Sequence, residues 1–505
     1  MAVRGLGGAR LRRAARRRAG LAGLAAALYL GAGLLATSPA VFETDHFLGY
    51  GVAREGRVTP GDHLQTIYNL WLPGHQLTRG AAPWLDPYSF QPEAEERVNF
   101  PGWPFAAVFG PLQALFGTVG GWNLFVLLTY VGAGGFTALW LRELGLPRGA
   151  ALVGGLAFAL APYRVAQSTG HLLGPVSMLL PLALYGVERR RAWLAVAALA
   201  SIPLSGQVHL ALGAIPFVLA YAAVRSRLRL GSIAAAAGVV AGAVVWALSV
   251  DRAPDRSFAD VERYSAGLSD FLGRDPGEFE RFVYLGWLVP LVAAVGVVAL
   301  CYWNTKFRSR RFAAVLGLGV LVPCLLALGA NLPGYGFLWR HTPLHPTRVP
   351  ERLLPIACLC LAALVALALA CVTELQSFAR VRSRLVALVA LALVAADLWV
   401  PLYDPLNADE HNAVYAQLAD APPGRLLERR PLLPDSYAGS VYVYYSMQAR
   451  RERPLGYSTV APPVAFRTAQ LLRWAPTDPS LLRRLGIRVV VVYRDGVPVR
   501  YMPIE

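Results

Sequence analysis

Charge is scarce in this chain of 505 residues: Asp, Glu, Lys and Arg together make up 16% of it, against about a quarter in an ordinary soluble domain. Lysine is almost missing, Lys306 being the only one. Cysteine is sparse as well. Cys301, Cys324, Cys358, Cys360 and Cys371 all lie in or beside hydrophobic spans and none in a long loop. That placement argues against a disulfide framework or a zinc site and fits small buried hydrophobes. Ionisable groups inside the spans are also few, Asp397 in the last span being the clearest. A pump or proton-coupled carrier is expected to show a relay of such groups, and no internal repeat of the kind that marks many secondary transporters is visible.

What the chain does have is apolar sequence. Hydrophobic residues make up 55% of it and the mean hydropathy is +0.44. Its apolar runs recur at about the 20 residues needed to cross a bilayer as a helix. The expected fold is therefore an all-α polytopic membrane protein. The net charge of +17 does not point to nucleic acid, because the excess sits in short clusters between spans: Arg189 to Arg191; Arg225, Arg227 and Arg229; Lys306, Arg308, Arg310 and Arg311; Arg380, Arg382 and Arg384. Such clusters are the anchors expected on the cytoplasmic side.

With the basic segment 1–18 inside, eleven spans put every tight Arg cluster on the inner face: 19–39, 121–141, 149–165, 172–188, 192–205, 207–224, 232–250, 284–303, 312–330, 352–373 and 385–402. The first is read as an uncleaved signal anchor rather than a signal peptide. The count requires that Phe105 to Phe116, broken by Pro104, Gly110 and Pro111, does not cross. The transmembrane domain is then 19–402. The tail 403–505 changes character and predicts a small extracytoplasmic α/β domain. Its expected elements are a strand at Val441 to Tyr445, helices at Pro463 to Arg473 and Ser480 to Leu485, and a strand at Ile487 to Tyr493 turning at Asp495-Gly496.

The outer loop 40–103 is the richest in chemistry. Within Pro60-Gly61-Asp62-His63-Leu64-Gln65, Asp62 stands at the start of an amphipathic helix and reads either as its cap or as a general base at the membrane surface. Glu43-Thr44-Asp45-His46 follows the first span. Its two carboxylates read as a solvated span end, or as a pair that shares a divalent ion such as Mg or Mn or holds a hydroxyl nucleophile. His63 and His75 read as interface residues before ligands, and Asp86, before Pro87, as a turn former. Other outer loops offer Arg164 and His171, then Arg340, Arg348 and Arg352. An Arg placed there against the positive-inside trend binds a lipid phosphate or snorkels to headgroups.

Several of these pieces, in this order, resemble a bacterial GT-C-type membrane glycosyltransferase. They are Gly61-Asp62-x-x-Gln65; Asn99-Phe100-Pro101-Gly102-Trp103-Pro104; Ser168-x-Gly170-His171 followed by Leu180-Pro181-Leu182; Arg348-Val349-Pro350-Glu351-Arg352; and Leu485-Gly486-Ile487-Arg488-Val489-Val490-Val491. The nearest likeness is to the broad group that includes YfhO-like proteins, with protein O-mannosyltransferases and aminoarabinose transferases more distant. The resemblance implies a GT-C-like fold in a bacterial inner membrane. It implies a polyprenyl-phosphate-linked sugar as donor, with a glycan, lipid or protein acceptor. It also implies an acid of the first outer loop as catalytic base, Asp62 first and Asp45 second, Glu43-x-Asp45 resembling the DxD-like pair of the superfamily. Glu43, His63, Gln65, Arg164, His171, Arg348 and Arg352 are then the expected substrate contacts. Two other classes stay open: a non-catalytic accessory protein of envelope glycan assembly, and a lipid-linked sugar flippase or polymerase.

Overall fold

The computed structural model describes residues 22–504 apart from 55, 93–96, 99–100, 249–255, 278, 304–305, 346 and 376–379. The basic segment 1–18 and Asn99-Phe100 of the second motif lie outside the described residues. After α1 (Ala22–Thr37), the first loop holds β1 (His46–Gly49), α2 (Asp62–Thr78), β2 (Leu85–Asp86) and β3 (Arg97–Val98). The bundle follows: α3 (Ala106–Glu143), α4 (Arg148–Ala159), α5 (Pro162–Ala166), α6 (Leu173–Ser177), α7 (Leu179–Glu188), α8 (Ala192–Leu204), α9 (Val208–Val224), α10 (Leu228–Ala247), α11 (Phe258–Tyr264), α12 (Leu288–Tyr302), α13 (Arg310–Ala327), α14 (Tyr335–His341), α15 (Leu354–Leu375) and α16 (Arg380–Leu398). The tail adds β4 (Asp404–Asn407), α17 (Ala413–Gln417), β5 (Arg425–Glu428), α18 (Ser440–Tyr445), α19 (Pro463–Trp474), α20 (Pro479–Arg484), β6 (Ile487–Arg494) and β7 (Val497–Pro503).

Four helical stretches are long and apolar enough to cross a membrane by length and composition: Ala106–Glu143, Leu228–Ala247, Arg310–Ala327 and Pro350–Glu374. The last is almost wholly buried and forms the axis of the bundle. Neighbours approach it through glycine, since a Cβ on Gly296 of α12 would collide with the Leu364 backbone, and one on Gly154 of α4 would come within 3.0 Å of the Ala362 carbonyl. Close backbone contact of this kind is how helices pack where the surroundings are as apolar as the side chains.

α3 is two helices joined at Gly117, whose φ of 74° and ψ of −177° interrupt the spiral. Its first arm, 106–116, is about 16 Å long, too short to cross a bilayer, and leaves Leu115 and Phe116 exposed. The second arm is capped from the tail, with Glu410 Oε1 accepting from the backbone N–H of Thr118 and, at 3.3 Å, of Val119. Asp397, the carboxylate expected inside the last span, also caps a helix: it accepts from the N–H groups of Trp287, Leu288 and Val289 at 2.9 to 3.0 Å, at the start of α12.

The polar segments gather at two ends. At one, Arg225 donates to Glu188 at 2.7 Å, Arg189 lies 3.5 Å from Glu143, and Arg225 sits over the Phe312 ring. These belong to the segments assigned to the inner face. At the other end β1 pairs antiparallel with β4, His46 opposite Asn407 and Gly49 opposite Asp404. Tyr50 there stacks on Phe279 at 4.9 Å, and Ser265 accepts from the Ala330 N–H.

In the tail β5 runs parallel to β6, and β6 antiparallel to β7. The helices at 463–474 and 479–484 and the strand 487–494 stand where the sequence placed them, and Asp495 and Gly496, with φ of 52° and 82°, make the turn. Val441 to Tyr445 is a correction: it is helix, not strand. All six residues of α18 are buried against α2, so the alternation of Val and Tyr does not divide a wet face from a dry one, and a short apolar run carries no other signal to separate the two states. A buried ion pair fixes this region: Arg453 donates to Glu428 at 2.7 Å with both side chains 0% exposed, and also to the Tyr442 and Ala449 carbonyls.

Candidate active site

Asp62 opens α2, yet its carboxylate makes no capping hydrogen bond. It reaches across the chain instead. His171 Nε2 donates to Oδ2 at 2.7 Å and the Tyr457 hydroxyl donates to Oδ1 at 2.6 Å. These partners are 109 and 395 residues away. Three tethers hold them there: the Thr66 hydroxyl donates to the Gly170 carbonyl at 2.7 Å, Gln65 Nε2 to the Tyr457 carbonyl at 2.9 Å, and the Gly61 N–H to Ser440 Oγ at 2.9 Å. Gly170 eases the approach, its Cβ position lying 3.2 Å from the His63 nitrogen and 3.5 Å from Asp62 Cβ.

The electrostatics follow from these contacts. Burial alone would raise the Asp62 carboxyl. The His171 hydrogen bond and charge, the Tyr457 hydroxyl and the Arg352 charge outweigh it and hold the group at about 2. Burial would likewise lower His171, but the Asp62 carboxylate beside it pushes it above its ordinary value. Its Nδ1 donates to Gln167 Oε1 at 2.9 Å, so both ring nitrogens donate, as an imidazolium requires. The side chains of Asp62 and His171 remain 27% and 20% exposed. Each carboxylate oxygen has a second lone pair, so Asp62 retains the capacity to accept a further proton-bearing group.

The other predicted residues divide. Gln65 and His171 join Asp62. Arg352 acts on both by charge, and its buried Nε has no partner among the described residues. Arg348 lies over the Tyr264 ring at 5.5 Å. His63, read both as an interface residue and as a substrate contact, is buried beside Phe47 with ring centroids 5.6 Å apart, and burial pushes it down to about 3. Arg164 differs from its expected place on an outer loop. It is 0% exposed, donates to the Ala159 and Thr129 carbonyls at 2.9 Å and sits over Tyr130, so it braces α5 against α3 and does not reach a lipid phosphate. Asp86 accepts from the Tyr68 hydroxyl and the Tyr88 N–H, the turn-forming role expected of it.

Glu43, Asp45 and His46 lie apart from this cluster. Their ligand atoms are within 4.8 Å of one another, a donor set that suits a divalent cation. Asp45 is 80% exposed and bonded to its own neighbour His46 at 2.9 Å. Any ion held there would sit on the surface and compete with that bond.

Two features escaped sequence reasoning. Tyr457 lies in a Gly-Tyr-Ser stretch with no local signature of a site. Glu351 is fully buried, with neither carboxylate oxygen nor the nearby Tyr163 hydroxyl finding a partner among the described residues. Both lie within electrostatic reach of Glu280 and Arg352. Buried polar groups are otherwise paired in folded proteins. The motif around Arg352 was visible as sequence, but nothing in it announced burial of its glutamate.

The arrangement of bundle, first loop and tail is similar to that of two transferases of known structure. Arabinofuranosyltransferase AftD from Mycobacteria is similar in structure with a TM-score of 0.57 at 18% identity, covering 94% of this chain and 35% of AftD. This chain thus spans about a third of that protein. The oligosaccharyltransferase AglB from Archaeoglobus fulgidus, solved with an inhibitory peptide and a dolichol-phosphate, is similar with a TM-score of 0.50 at 13% identity, covering 94% of this chain and 69% of AglB. At these identities the likeness is one of fold. No protein-family model and no curated protein sequence matches the chain.

Proposed function

We propose that this chain is a membrane glycosyltransferase, closest in kind to the YfhO-like group. It would move a sugar from a polyprenyl-phosphate donor to an envelope glycan, lipid or protein on the outer face of a bacterial inner membrane. The observation that carries the reading is the convergence on Asp62 of the first loop, the 168–171 loop and the tail, at the loop-bearing end of a GT-C fold. In this reading that end, with the C-terminus, is extracytoplasmic, and the Arg-rich end is cytoplasmic.

The chemistry asks little of the protein beyond position and charge. An acceptor hydroxyl hydrogen-bonds to a free lone pair of Asp62 and gives up its proton as its oxygen attacks the anomeric carbon. The bond from that carbon to the phosphate oxygen breaks, and polyprenyl phosphate leaves with the electron pair. Arg352, with Arg348 beside it on the chain, offsets the departing charge. A single displacement inverts the anomeric centre. An apolar groove of about 420 Å³ between α9 and α13, lined by Leu212, Phe217, Leu318 and Val322 and reaching Leu344 and Leu353 on either side of the two arginines, suits the prenyl tail.

The test is release of polyprenyl phosphate and sugar transfer by the purified protein in proteoliposomes, with a panel of polyprenyl-phosphate sugars. Wild type is expected to turn over at least one donor, and Asp62→Asn to be slower by about 10²-fold or more at equal folding. Donor binding without turnover by wild type would favour the accessory reading.

A further inference from the structure

A cleft of about 1190 Å³ lies away from Asp62, at the far end of α2. Its walls are the last turns of α2, the short arm 106–116 of α3, and tail segments from Glu410 to Arg450. Backbone is laid open on two walls, since a Cβ on Gly74 or on Gly110 meets nothing within 4 Å. Trp71 stands at the edge, half-buried, its ring held by stacking on His75 at 4.3 Å and 13°. His75 is fixed in turn by the Tyr88 hydroxyl at 2.7 Å. The polar lining holds Thr78, His411 and the side-chain amides of Gln113, Asn412 and Gln448, the amides set in place by bonds to Thr118, to Asp409 and to the Asn412 N–H.

Two arginines and one carboxylate line this cleft. Arg79 and Arg450 line it and both are exposed. Among the described residues its one carboxylate, Glu410, is engaged by the Thr118 and Val119 N–H groups. An aromatic edge, planar amides and guanidinium groups around an open floor match a saccharide. Its ring carbons pack on an aromatic face, its hydroxyls bond to Thr78 and to the amide hydrogens and lone pairs that the protein leaves open, and a ring carboxylate pairs with guanidinium.

We propose that this cleft binds an acidic oligosaccharide, the part of the acceptor remote from the reacting hydroxyl. The proposal rests on the glycosyltransferase reading for the word acceptor. Nine residues of helix separate Asp62 from Trp71, about 14 Å, so the bound glycan spans several units and the protein elongates or decorates an existing chain rather than a free monosaccharide.

The test is isothermal titration calorimetry on the full chain in lipid nanodiscs, with hyaluronan hexasaccharide as the acidic probe, maltohexaose as the neutral one and glucuronate as the single unit. The acidic hexasaccharide is expected to bind at least about tenfold tighter than the other two. Gly74→Leu, which fills the floor and favours the helix, and Arg450→Gln are each expected to weaken it about tenfold or more. Asp62→Asn is expected to leave it unchanged. Absence of binding, equal binding of the two hexasaccharides, or binding untouched by Gly74→Leu would overturn the proposal. So would loss of co-purifying phosphatidylglycerol in Gly74→Leu without effect on the saccharide, which would assign the cleft to a lipid. Saccharide binding that survives while Asp62→Asn keeps full transfer removes the catalytic role of Asp62 and leaves the cleft in place. Transfer lost in Asp62→Asn, with no saccharide bound by wild type, removes the cleft proposal alone.

Discussion

Asp45 and Asp62 belong to the same loop, and each has a histidine for a neighbour, but the chain uses them differently. Asp45 is 80% exposed and its partner is the next residue. Asp62 is 27% exposed, ignores the adjacent His63, and takes its partners from 109 and 395 residues away. The first arrangement forms wherever Asp precedes His on an open surface. The second exists only when the bundle, the first loop and the tail are all folded. A carboxylate whose environment is assembled from distant segments is the better candidate for chemistry, because perturbed groups in clefts mark functional sites more often than exposed pairs do.

The largest expected effect is on Asp62 itself. Asp62→Asn keeps the shape and removes the base, and transfer should fall by about 10²–10⁴-fold, with an unchanged circular dichroism spectrum and a lower melting temperature at neutral pH, because the ionised pairing with His171 is lost. Next is the tail that supplies Tyr457. Arg453→Met leaves Glu428 buried without its partner and should cost about 3–5 kcal/mol in stability. The double change with Glu428→Leu should recover much of that loss in chemical denaturation. Tyr457→Phe comes third. It deletes one hydrogen bond to a charged group, about 1.5–3 kcal/mol, and should let the Asp62 carboxyl rise from about 2.

The pH dependence has a defined direction. Asp62 is held below the ordinary carboxylate value of about 3.9, so its contribution to stability is complete above that value and is lost as pH falls through about 2. His171 is held above its ordinary value of about 6.5, so its contribution is complete below that and is lost as pH rises through the raised one. The pair is therefore strongest between roughly pH 4 and 6.5. Thermal melts should show a fall on the alkaline side that His171→Gln abolishes. The smallest effect should be Asp45→Asn, with no resolvable change in stability and none in transfer.

How far the sequence reaches depends on the range of the interaction. Apolar runs and Arg clusters located the helices and separated the two ends, because hydropathy and loop charge are local properties. Asp495-Gly496 and the run from Ile487 announced the last hairpin for the same reason. Asp62 was legible from the turn and helix around it. Tyr457 was not, because its role comes from a tether to Gln65 and from no feature of its own segment. Arg164 misled because an arginine beside a predicted loop reads as a surface cation, whereas it is buried and bonded to two backbone carbonyls. Val441 to Tyr445 misled because uniform burial erased the meaning of its alternation.

The central claim is that the assembled carboxylate, and not the exposed one, carries the chemistry. Mass-spectrometric profiling of envelope glycans and glycolipids in a deletion strain tests it most directly, with complementation by wild type, Asp62→Asn or Asp45→Asn at equal expression. The account predicts that a sugar lost on deletion returns with wild type and with Asp45→Asn but not with Asp62→Asn. Restoration by Asp62→Asn, or failure by Asp45→Asn alone, would contradict it.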